Sequence, residues 1–156
     1  MKTSIKTFFT IIILGIIILC ISGCNTEFAK KEYDDAEKIV QMSDHSVESN
    51  SAFKSLNGSH SFTASKFDGR KNLWKKSLEK NVDVEVQFEL SISSGYAKIV
   101  HIDSNKNITV LVECSQDDST EQSGTKIVSF TSGLNQLKIV AYDCKDLSLK
   151  LFFELS

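Results

Sequence analysis

The chain has 156 residues, 18 basic and 20 acidic side chains, four cysteines and no proline. No basic run exceeds Lys30-Lys31 or Lys75-Lys76, which argues against nucleic acid as a partner, because polyanion affinity needs many simultaneous phosphate contacts. The length fits one domain and not two.

Lys2 and Lys6 form a basic start with no acidic residue before Glu27, and an apolar run of 14 residues follows from Phe8 to Ile21, broken by Thr10 and Gly15. A bilayer-spanning helix needs about 20 apolar residues, so the run fits a cleaved signal peptide better than a membrane anchor. At its end, Ile21-Ser22-Gly23-Cys24 resembles the lipobox of bacterial lipoproteins, with Ile21 where Leu is the family preference. The resemblance covers residues 1–24. It implies cleavage between Gly23 and Cys24, a diacylglyceryl thioether on Cys24, and attachment to the extracytoplasmic face of the cell membrane. A lasting anchor needs at least two acyl chains, which that chemistry supplies. Removing Lys2 and Lys6 would leave 16 basic against 20 acidic side chains, a net of −4.

Residues 24–58 read as a lipidated N-terminus and tether. Ala29, Tyr33, Ala36 and Val40 keep a helical spacing and predict a short helix. Met42 to Ser59 is rich in Ser, Asn, Asp and Glu, the composition of a flexible linker. Extended, about 34 residues would reach on the order of 100 Å.

Residues 59–156 read as an antiparallel β-sandwich of about seven or eight strands. The first two are expected over Ser61–Phe67 and Lys71–Leu78, the latter with a competing helical spacing. Val82 to Leu90 alternates without a slip, placing Val82, Val84, Val86, Phe88 and Leu90 on a core and Asp83, Glu85, Gln87 and Glu89 in water. Further strands are expected over Tyr96–Asp103, Ile108–Glu113, Thr125–Phe130, Leu137–Tyr142 and Leu147–Leu155. Ser-Gly followed by Lys-Ile-Val-x-x-Asp occurs at Ser94 to Asp103 and again at Ser132 to Asp143, an echo that would suit two equivalent hairpins. In overall pattern this part resembles the small β-sandwich domains of Gram-positive lipoproteins.

Candidate chemistry is sparse. His45, His60 and His101 lack a second His or Cys at ligand spacing, so no metal site or catalytic triad is expected, and no cofactor. Asp103-x-Asn105-x-Asn107 opens like a calcium loop but has Ile108 where Gly is required, and a polar hairpin turn explains it more simply. Asp117, Asp118 and Glu121 read as solvated loop charge. Cys114 and Cys144 admit a disulfide in an exported chain, with burial as two thiols as the alternative. Trp74, the single tryptophan, sits among Lys71, Lys75 and Lys76 and is either a sugar-stacking contact or a core anchor. The reading that follows is a non-catalytic binding module for a protein or an envelope glycan. The alternatives are an accessory lipoprotein of a membrane complex, contacting its partner through the N-terminal helix, or a hydrolase whose carboxylates converge about 5 to 9 Å apart.

Overall fold

The computed structural model describes residues 24–155, with side chains from Glu27 onward. The expected signal peptide, its cleavage site at Gly23 and the Cys24 side chain lie outside the described residues. The chain forms α1 (Cys24–Tyr33), α2 (Ala36–Ile39), β1 (His45–Ser49), β2 (Ala52–Leu56), β3 (Ser59–Leu78), β4 (Val82–Ser91), β5 (Ser94–Ile102), β6 (Ile108–Ser115), β7 (Glu121–Phe130) and β8 (Gly133–Phe152).

Every strand pairing is antiparallel, and the hydrogen-bonded network folds over on itself into two layers. One layer runs β2, first half of β3, last part of β8, β4, β7; the other runs β1, second half of β3, first part of β8, β5, β6. The expected sandwich is the observed fold. Between the layers lie Phe62, Phe67, Val86, Leu90, Ile99, Leu111, Phe130, Leu137, Ile139, Leu149 and Leu151. The β4 alternation holds as read: Val84, Val86, Phe88 and Leu90 are buried, while Asp83, Glu85, Gln87 and Glu89 are exposed.

The strand divisions differ from expectation in an instructive way. The pairs expected as separate strands, 61–67 with 71–78 and 137–142 with 147–155, are the single ribbons β3 and β8, paired from Ser59↔Phe152 to Leu78↔Gly133. Turn-forming residues are present between them, but they make bends that carry each ribbon from one layer to the other. Gly69 has φ +108, Asp143 φ +51 and Asp146 φ +49, and the β3–β8 register shifts between Phe67 and Gly69. A Cβ on Gly69 would lie 2.1 Å from the His45 carbonyl oxygen, so only glycine lets β1 close on β3 there.

The stretch read as a flexible linker is a correction. β1 and β2 form an edge along β3, from His45↔Arg70 to Leu56↔Ser59, with a break at Asn50-Ser51 where Asn50 has φ +48. An edge strand needs a neighbour's backbone groups more than an apolar face, and its polar residues serve as cross-strand partners. Glu48 accepts from Lys71 Nζ at 2.8 Å, and Asp44 accepts from the Asn72 backbone N–H at 2.8 Å.

The N-terminal helices cover the outer face of the β5-containing layer. Ala29 and Tyr33 are buried as the spacing predicts, but Asp34-Asp35 interrupts the helix and Asp35 caps α2 by accepting from Lys38 N–H at 3.2 Å. The interruption changes the helical phase, so Ile39 is buried and Ala36 is exposed. Tyr33 and Ile39 pack with Val100, Ile102 and Val140 as a second, smaller core. The echo also resolves differently from two equivalent hairpins. The Lys-Ile-Val triplets are antiparallel neighbours, Lys98↔Val140, Ile99↔Ile139 and Val100↔Lys138. The isoleucines point into the main core and the valines under the helices. The strands after them part company, since β6 stays with β5 while residues 148–152 cross to pair with β4.

Candidate functional site

Trp74 lies near the end of β3, at the end of the sandwich where the β2–β3 turn meets the last residues of the chain. It is half-buried, its ring perpendicular to Phe130 and to Phe153, with centroids 5.5 and 5.4 Å away. Two buried aromatics thus hold the indole in one orientation. Phe153 is itself fixed, donating its backbone N–H to the Gly58 carbonyl at 3.1 Å and stacking on His60 at 5.1 Å. His60 Nδ1 lies 2.9 Å from Ser55 Oγ, and burial holds the imidazole pKa below its usual range.

These residues line a cleft of about 410 Å³ bounded by Ser55, Gly58, His60, Trp74, Lys76, Phe153, Glu154 and Leu155. A second hollow of about 590 Å³ adjoins it through Lys76 and Leu155 and adds Ser77, Leu78, Glu79, Lys80 and Val82. Together they make a groove with an apolar floor of Trp74, Phe153, Leu78, Val82 and Leu155 and a rim of hydroxyl, ammonium and carboxylate groups. Such a groove suits a ligand with apolar patches between polar groups.

Trp74 was legible as a candidate; its companions were not. His60 sits beside Phe153 because His60 pairs with Leu151 across β3 and β8. Nothing local in the sequence links positions 58–60 to 153–155, and Ser55 lies in the stretch read as linker.

The remaining candidates are dispersed. Cys114, opposite Ala97, donates its thiol to the Leu90 carbonyl at 3.4 Å, and Cys144 pairs with Phe67; both are free and buried in the main core. Of the two readings open for this pair, the structure has the buried thiols, and burial pushes Cys144 up to about 12 and Cys114 upward as well. Asp103 accepts at 2.8 Å from the backbone N–H of Asn105 and of Asn107, closing a hairpin turn. Asp117 accepts from the Tyr96 hydroxyl. His101, only 2% exposed, is partnered by Asn135 Oδ1 at 3.1 Å, and Asn135 in turn pins the Thr131–Gly133 turn. Among the described residues no group of three or more His, Cys, Asp or Glu is placed to hold a metal ion.

A further hollow of about 380 Å³ crosses the outer face of the β4 layer, with Gln87, Thr125 and exposed Phe152. Its charged members, Glu89 and Lys150, are paired with each other at 2.7 Å.

No family model matches the chain, and no curated protein matches it. Among solved structures it is similar to a family 35 carbohydrate-binding module from Paenibacillus barcinonensis at 14% identity, covering 71% of this chain and 93% of that one with a TM-score of 0.33. A carbohydrate-binding module of Cellvibrio mixtus lichenase 5A, in complex with cellotriose, matches at 9% identity over 78% of this chain and 94% of that one, TM-score 0.33. Murine APRIL matches at 14% identity over 72% of this chain and 97% of that one, TM-score 0.31. Likenesses at this level select no ligand.

Proposed function

We propose that the chain is a lipid-anchored, extracytoplasmic and non-catalytic module that binds an envelope glycan in the Trp74 groove. The observation that carries the reading is the indole held by Phe130 and Phe153 at the edge of a cleft rimmed by Ser55, Lys76 and Glu154. A sugar ring presents apolar C–H faces and a girdle of hydroxyls, which an aromatic platform with a polar rim matches. The resemblance of residues 21–24 to a lipobox supplies the address. The accessory-lipoprotein alternative is disfavoured, because the buried face of α1, Ala29 and Tyr33, is spent on this chain's own sheet.

Retention on purified cell-wall polysaccharide tests the groove. Trp74→Ala is expected to weaken retention by about 30-fold, the loss of an interface anchor worth about 2 kcal/mol. Lys76→Ala, at an exposed position, is expected to weaken it less while leaving the fold intact. Equal retention of wild type and both variants would overturn the assignment. For the address, Cys24→Ala is expected to abolish palmitate labelling and membrane retention together; retention without label would mean that residues 8–21 stay as an uncleaved anchor.

A further inference from the structure

We infer that a lipid on Cys24 holds the sandwich directly against the bilayer, with no tether between them, so that the groove reaches only membrane-proximal glycan. This rests on the lipid-anchor reading and adds to it the distance and the layer sampled. α1 begins at Cys24, and among its described side chains the first that is deeply buried is Ala29, 1% exposed. Five helical residues rise only about 8 Å. From there to Asp44 the segment is fastened repeatedly. Glu32 approaches Arg70 at 3.5 Å and His45 at 3.0 Å, Asp34 takes Lys98 at 2.7 Å, and the Tyr33 hydroxyl donates to Glu113 at 2.7 Å. Lys138, with no exposed surface, donates its ammonium to the Ile39 carbonyl at 3.0 Å and to that of Gln41.

These contacts tie the segment to residues far along the chain, three of them the buried cations Arg70, Lys98 and Lys138, the arrangement of an integral layer and not of a spacer. Released up to Asp44, the same segment would span on the order of 70 Å. The anchor also has a fixed exit. The Phe28 ring lies 4.4 Å from that of His45, which places α1 over the β1 edge. Trp74 pairs with Leu137, whereas Tyr33 packs on Tyr142. Five residues of β8 separate the two, about 17 Å along the strand.

The test uses the lipidated full-length product purified from membranes and returned to vesicles carrying an energy-transfer acceptor on their headgroups. The donor sits on Lys66→Cys, an exposed position paired with Ser49 of β1; Cys114 and Cys144 are buried and do not compete for label. A second form carries a 20-residue Gly-Ser spacer between Thr26 and Glu27, which splits α1 after its first three residues, adds about 25 Å of flexible reach and leaves Ala29 and every contact after it in the chain in place. Transfer is expected to be high in the native form and several-fold lower with the spacer. A lipidated native form that transfers no better than the spacer form would overturn this inference alone. Absence of lipid on Cys24 by mass spectrometry would overturn it together with the anchor reading.

Discussion

If the N-terminal segment is part of the folded unit, removing its main anchor must weaken the whole domain. Tyr33 is that anchor: it is 3% exposed, lies edge-on to Tyr142 at 5.0 Å, carries Lys98 Nζ 4.0 Å above its ring and donates to Glu113 at 2.7 Å. Truncating a buried aromatic to alanine costs about 3 to 5 kcal/mol, and the lower figure applies because Tyr33 sits in the smaller of the two cores. Tyr33→Phe removes the hydroxyl alone, and exposed Glu113 regains water, so about 1 kcal/mol is expected. At 1.4 kcal/mol per decade, a loss of 3 kcal/mol raises the open population of the segment about 100-fold. Native-state hydrogen exchange on the α1 and β1 amides reads that change directly, and urea unfolding gives the global loss. Exchange in α1 that is already unprotected in wild type, or a Tyr33→Ala loss below about 0.5 kcal/mol, would refute the reasoning.

Lys138 gives a pH signature. Burial, then Arg70 nearby, lowers its pKa to about 8 in the fold, against 10.5 in the unfolded chain, so above pH 8 the unfolded chain binds more protons and wild type gains stability relative to Lys138→Met. The gain is at most about 3 kcal/mol between pH 8 and 10.5, since 1 unit is about 1.4 kcal/mol and two carbonyl acceptors oppose it; parallel pH profiles of wild type and variant would contradict this. Gly69→Ala is expected to cost at least about 2 kcal/mol in urea unfolding, because φ +108 and a Cβ 2.1 Å from the His45 carbonyl cannot both be kept; a neutral substitution would mean that β1 does not pair there. Cys114 and Cys144 are expected to stay unreactive to a thiol reagent at pH 8 until denaturant is added, and then to titrate as two thiols; a native disulfide would leave none.

The half-buried alternation of β4 was legible because side-chain period alone sets which face a residue takes. The crossing ribbons were not, because Asp-Gly at 68–69 and the Asp143–Asp146 stretch carry ordinary turn residues, and only the partner strand decides whether they end a strand or bend it. Composition misled over residues 42–58, since polar side chains there are partners for Lys71 and Asn72 and not a solvated chain. The cleft was half legible. Trp74 stood out by type, but Phe153 and His60 reach it through a register set between β3 and β8, which no local signal encodes.

Because Trp74 is the sole tryptophan, its emission reports on the groove without interference. Titrating the protein with soluble fragments of its own cell-envelope polysaccharide should give a saturable shift or quench of that emission, with a midpoint matching calorimetry on the same sample. Calorimetric binding that leaves the emission unchanged would place the glycan elsewhere, and the absence of binding to any envelope fragment would contradict the glycan reading itself.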